Sequence, residues 1–330
     1  MDVHELLARY GKGERDFSGV NLMGVDLSGT KLEGINLAQA YLGAVNFKRA
    51  NLSRANLNGA FLYRVDLSWA KVTRADLCRA DLTKANLSGA YLVKSLLKEA
   101  KLSGAILSYV NLQLANLQGV NLCGANLQGI NFRWANLSQV NFSWANLSGA
   151  RLSGANFRGA ILNGVKLKAA YMNAVDLQGV DLDGVDLSEA KLSGANLSEA
   201  NLTVANLSEA QLRAAILTRT KLHGATLRNA NLRKAELTEA DLSKANLEGA
   251  LLSEVNLTRA NLNQANLIGA DLKRATLQEA YLWGTDLTGA VLEETNLTGA
   301  NLRGGVLEEA QHQQAIFRQT TMPDGQLRGI

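Results

Sequence analysis

The chain has 330 residues, a net charge of +4 and an apolar fraction of 47%, with three histidines, two cysteines and one proline. His4, His223 and His312 lie near the start, in the middle and near the end of the chain, which excludes a His-based triad or metal cluster, and no GxxxxGK[ST] or GxGxxG phosphate loop occurs. The expectation is a protein that is not an enzyme and has no cofactor and no metal.

Residues 1–14 come first. Asp2 offers an N-cap, Leu6, Leu7 and Tyr10 share an apolar side, and Gly11 ends the run, which predicts a short helix that caps the repeats beginning at residue 15. No apolar run in MDVHELLARYGKGERDF is long enough for a signal peptide, and no later run approaches the roughly 20 residues of a membrane span. A cytoplasmic protein with no membrane partner is expected.

From residue 15 to residue 330 the chain repeats in fives. Phe17, Leu22, Leu27, Leu32 and Leu37 open a series of central residues that runs in one register to Leu307, departing from Leu and Phe only at Val72 and Met172, and beyond it at His312 and Met322. Two residues before each centre stands a small residue, with Arg15 the large exception. A period of five fits neither the 3.6 of a helix nor the 2.0 of a continuous strand. Short extended segments joined by corners satisfy it, each side turning a leucine and a small residue inward and leaving three positions to water. Successive coils would then pair backbones about 4.8 Å apart and bury a core that no single repeat could bury. The length would ordinarily suggest two domains, but the unbroken register predicts one uninterrupted repeat domain over 15–330. Glycines such as Gly119, Gly129 and Gly149 fall at the fifth position, where a corner accepts them best. Cys78 and Cys123 each follow a central leucine and point outward, as reduced surface thiols.

Towards the end the pattern decays at Gly305, His312, Thr321 and Pro323, and TMPDGQLRGI reads as a terminal turn. His312 takes an inward position, where a neutral imidazole needs a hydrogen-bond partner. Met322, Leu327 and Ile330 are placed either to cap the core or to form a dimer contact.

The pentads ANLSG, ADLTK and VDLSE resemble the pentapeptide-repeat family, whose pattern is A-[N/D]-L-x-x, over nearly the whole chain. The resemblance implies an all-β fold, a right-handed quadrilateral parallel β-helix with four pentads per coil and about 15 coils. The lead-in LLARYGKGERDF resembles that of cyanobacterial members, which include a regulator of heterocyst differentiation. Some members dimerise end to end, so a monomer or an end-to-end dimer is expected. Others mimic DNA and protect gyrase, a role that requires a coat of negative charge and is disfavoured by the net +4. A purely structural repeat is the remaining alternative.

With four pentads per coil, one side gathers Lys31, Arg54, Lys71, Arg74, Lys94, Arg133 and Arg151 against the single acid Glu33, and continues to Lys234 before Glu254, Asp271, Glu293 and Glu294 dilute it. Such a stripe suits an acidic protein or a phosphate backbone. A flat β wall with no groove-entering element makes nucleic acid the less expected partner. From Ala105 to Gly149 the outward positions hold one charge, Arg133, and instead present Tyr109, Leu114, Trp134 and Trp144. Exposed aromatics in a charge-poor zone mark protein contacts. The expected partner-binding residues are therefore Tyr109, Leu114, Arg133, Trp134 and Trp144 with Arg74 and Lys94. The expected function is a non-catalytic protein–protein interaction scaffold, regulatory in cyanobacterial development.

Overall fold

A computed structural model describes residues 1–329, which fall into two compact units, Met1–Val165 and the residues from Lys166 onward. The first unit opens with helix α1, Val3–Gly11. Asp2 caps it by accepting the Glu5 N–H at 2.8 Å, satisfying a donor that the first turn leaves free. Leu6 is fully buried. Arg9 bonds Glu14 and Glu5 and carries its guanidinium 5.5 Å from the Phe17 ring centroid, holding the Glu14 carboxyl below its usual range. The Tyr10 hydroxyl donates to the Glu33 carbonyl at 2.8 Å, and Arg15 lies 3.9 Å over the Tyr10 ring. The predicted capping helix is thus tied to the first coil by packing, hydrogen bonds and charge together.

Parallel bridges join Asp16 to Asn36, Asn36 to Asn56 and Asn56 to Asp76, each a step of 20 residues, so one coil takes four pentads. The expected extended side is reduced to one bridged residue per pentad, because the chain turns immediately after the centre. The Leu57 N–H donates to Asp76 O at 2.7 Å, and the Ala60 N–H closes the corner on Leu57 O at 3.1 Å. The Asn or Asp before each centre has a physical reason. Asp16 Oδ1 accepts the Ser18 N–H at 3.1 Å, fixing the turn from its own side chain, and also accepts Nδ2 of Asn36 at 2.8 Å from the next coil. The second unit repeats the device: Asn201 Oδ1 accepts the Thr203 N–H at 3.2 Å while its Nδ2 reaches Asp181 Oδ1 at 2.8 Å.

Inside each coil the central and small residues meet. Leu57, Leu62, Val65 and Leu67 are buried in the first unit and Leu197, Leu202, Leu207 and Leu212 in the second, each such side chain stabilising by about 1.5–3 kcal/mol before entropy is counted. Phe132, Phe142 and Phe157 pack at centroid distances of 6.1 Å. Where threonine replaces the small residue its hydroxyl is satisfied: Thr220, Thr285 and Thr295 donate to the carbonyls of Leu197, Leu262 and Leu272, each at 2.8 Å. Among the described residues no buried side-chain nitrogen or oxygen lacks a partner.

The conventional strand pair is antiparallel, β1 at Thr320–Thr321 and β2 at Leu327–Arg328, and the turn between them is the predicted terminal turn. The inward register lapses there. Leu307 is half-buried and His312 exposed, with Nδ1 3.1 Å from the Ala310 carbonyl and its ring edge-on to Phe317. Met322 is half-buried and Leu327 exposed; Ile330 lies outside the described residues. Among the described residues no helix is long and apolar enough to cross a membrane.

Candidate contact surface

The fifth residue of the pentads from Gly19 to Gln319 sits at the corner with a left-handed backbone. Arg54, Arg74, Lys94, Leu114 and Trp134 have φ of 60°, 59°, 59°, 59° and 58°. Their N–H groups donate onward to the next coil, Arg74 to Val93 O at 2.9 Å, Lys94 to Gln113 O at 3.0 Å, Leu114 to Arg133 O at 2.9 Å and Trp134 to Ser153 O at 3.2 Å. These five residues therefore stand one above another on successive coils. Each bond spaces the next corner by one β repeat, about 4.8 Å. Leu114 and Trp134 are exposed by 45% and 63%, and Arg133 is exposed on the wall beside Trp134.

The three cations of this column are poorly compensated. Arg54 lies 3.9 Å from Glu33, while Arg74 and Lys94 make no ion pair among the described residues. Corresponding corners of the second unit alternate in sign: Lys234 pairs with Glu254 at 3.4 Å and Arg274 with Glu294 at 2.9 Å, and Arg274 draws the Glu294 carboxyl below its usual range. Like charges one β repeat apart repel, so Arg54, Arg74 and Lys94 keep an arrangement that the corners Lys234, Glu254, Arg274 and Glu294 do not share.

The corner aromatics do not stand free. The indole of Trp134 lies across Gly154, that of Trp144 across Gly164, the ring of Tyr109 across Gly129 and that of Trp69 across Gly89; a Cβ at any of these glycines would run into the ring. Each ring thus keeps one face on a backbone and turns the other to solvent. Trp69, 55% exposed, belongs to this set and was not among the expected contact residues. Its signal in the sequence is an aromatic at the fifth position followed one coil later by glycine.

Of the expected residues, the structure brings Arg74, Lys94, Leu114, Arg133 and Trp134 onto one side. Tyr109 stands at the preceding corner and flanks that side, whereas Trp144 is half a coil further on and faces away. Elsewhere the chemistry is sparse. His223 Nδ1 is 2.9 Å from Ser243 Oγ, and no cluster among the described residues could hold a metal ion. Cys78 and Cys123 are free thiols, and partial burial together with Asp76 pushes the Cys78 thiol up, away from the reactive thiolate.

A family model for pentapeptide repeats matches overlapping segments that begin with 16–37 and 21–59 and end with 277–311. Among solved structures the chain is similar to HetL, a pentapeptide repeat protein involved in heterocyst differentiation regulation from the cyanobacterium Nostoc, at 26% identity over 99% of this chain and 100% of that one, TM-score 0.16. It is also similar to Rfr23 from the cyanobacterium Cyanothece, at 26% identity over 52% of this chain and 99% of that one, TM-score 0.22. A pentapeptide repeat protein of the Arabidopsis thaliana thylakoid lumen is 30% identical over 36% of this chain and 66% of its own, TM-score 0.17. At these TM-scores the three likenesses carry no structural argument. No curated protein matches. The family model alone spans most of the sequence, and with the bridges of step 20 it decides the matter: the chain belongs to the pentapeptide-repeat family.

Proposed function

We propose that the protein is a non-catalytic scaffold for protein–protein interaction, regulatory in role, acting in the cytoplasm as a monomer or end-to-end dimer. The right-handed, quadrilateral winding implied by the family resemblance belongs to this reading. One observation carries it, the corner column in which Arg54, Arg74 and Lys94 lead into Leu114 and Trp134. It presents apolar surface beside poorly compensated charge on a wall built by the backbone ladder. Such a surface supplies desolvation from the apolar end and orientation from the charged end. Nothing comparable supports a DNA-mimicking role, for which the net charge of +4 has the wrong sign.

Affinity capture from cyanobacterial cytosol tests the reading, with a Leu114→Glu, Trp134→Ala double variant as control and circular dichroism to verify its fold. A protein retained by the wild type and lost from the folded variant is the expected result. Equal retention by both removes this side as the contact surface.

A further inference from the structure

We infer that the occupant of this side is an acidic α-helix lying along the column, its carboxylates on Arg54, Arg74 and Lys94 and its apolar side chains on Leu114 and Trp134. The inference rests on the reading of this side as a protein-contact surface and goes further by fixing the chemistry and conformation of the partner.

Charge complementarity sets the sign. Three cations stacked on successive coils repel one another, and among the described residues Glu33 alone relieves them, at Arg54. The corners of the second unit show that the fold can build the alternative, with Glu254 and Glu294 set between or beside cations. Carboxylates from a partner would complete in the first unit the alternation that the second unit makes for itself.

Spacing sets the conformation. Corners one coil apart give five contact points at about 0, 5, 10, 14 and 19 Å along the side. In an α-helix rising 1.5 Å per residue, positions i, i+3, i+7, i+10 and i+14 fall on one face at about 0, 4.5, 10.5, 15 and 21 Å. An extended strand places same-face side chains about 6.8 Å apart and loses step with the column after the first pair. A helix reading acid, acid, acid, apolar, apolar at those positions therefore matches both spacing and chemistry. The apolar end is prepared for it: the Trp134 indole rests on Gly154 with its outer face open, so a leucine or aromatic side chain can stack there without displacing it.

The test is binding of fluorescein-labelled peptides to the full chain, followed by anisotropy. The first probe is a helix-forming peptide of about 16 residues with Glu at i, i+3 and i+7 and Leu at i+10 and i+14. The second carries the same Glu and Leu residues among alternating Val and Pro that hold it extended, and the third is a single-stranded oligonucleotide. The helical probe should bind, weaken about tenfold or more on Arg74→Glu with Lys94→Glu and on Trp134→Ala, and weaken with salt. A probe with Lys in place of Glu should bind the charge-reversed variant in preference to the wild type, which a merely misfolded variant would not do. Equal or tighter binding of the extended probe overturns the helical occupant and leaves the protein-contact reading intact. Binding of the oligonucleotide alone, lost on the same substitutions, overturns both. Failure of all three probes overturns this inference, and the capture experiment then judges the contact surface separately.

Discussion

At the residue scale, the position before each centre does most to make the chain turn. Asp26 Oδ1 accepts the Ser28 N–H at 2.9 Å. That backbone bond, then the Ser28 hydroxyl and Asn46, hold the Asp26 carboxyl below its usual range. Because the folded value lies below the unfolded one, the ionised carboxylate's contribution is complete above the unfolded carboxylate range, about pH 4, and is lost as pH falls through the folded value. Hydrogen-exchange protection of the Ser28 amide should accordingly fall over the acid range below about pH 4. Asp26→Asn, which keeps an Oδ1 acceptor that cannot titrate, should hold its protection flat over that window. An Asn variant with the same pH dependence would show that Asp26 does not set it. The recurrence of Asn or Asp was legible in the sequence as part of the repeat pattern, but its part in fixing the turn was not. Nor was the second bond, from Asn36 Nδ2 back to Asp16, because it joins residues 20 apart and exists only once the coil closes.

At the element scale, the corner is where sequence and structure part company. Glycine at the fifth position is what a left-handed corner leads one to expect, yet Arg74, Trp134 and even the β-branched Val204 adopt the same conformation, at φ of 59°, 58° and 47°. The ladder bonds on either side outweigh the local cost, and long polar side chains at these positions read simply as solvated surface. Two glycines separate the contributions. Gly119 and Gly154 share a φ of +72°, but a Cβ at Gly119 meets nothing whereas one at Gly154 meets the Trp134 indole. Gly119→Ala should cost about 1–2 kcal/mol for backbone conformation alone. Gly154→Ala should cost about 1 kcal/mol more, through the displaced ring, and should raise iodide quenching of tryptophan emission. Equal costs in denaturant melts would mean that the indole gains nothing from its seat. The pairing escaped sequence reasoning because the coil length places Trp134 beside Gly154 but not its ring across the glycine backbone, which only side-chain placement shows. Trp144 was grouped with Trp134 because both fall in the charge-poor stretch from Ala105 to Gly149, although half a coil separates them.

At the scale of the whole molecule, charge distribution distinguishes the two units. The second carries inter-coil ion pairs such as Arg219–Glu199 at 2.6 Å and Arg259–Glu279 at 2.7 Å, while the first stacks Arg54, Arg74 and Lys94. Exposed pairs of this kind are individually weak and are screened by salt, as is like-charge repulsion. Hydrogen exchange on the full chain, read by mass spectrometry at low salt and near 1 M, where the screening length shrinks to about 3 Å, should show protection rising around 54–94 and falling or holding around 199–294. A uniform response would mean that net charge rather than its arrangement governs stability. The core repeat was fully legible, because leucine at every fifth position leaves few alternatives. The basic side was legible only through the coil length that the family resemblance implies, since which residues become neighbours depends on how many pentads close a turn.

That last dependence gives the molecule two units of inheritance. Duplicating or losing a single pentad between Lys94 and Leu114 would leave every leucine facing inward and the fold intact, yet would advance all later residues by one side and strand Leu114 and Trp134 away from Arg74. A copying event of four pentads carries a column through unchanged, because residues 20 apart are the ones that touch. Lineages of such chains can therefore grow and shrink freely in fives as folded bodies, while any message written along one corner is conserved only in twenties.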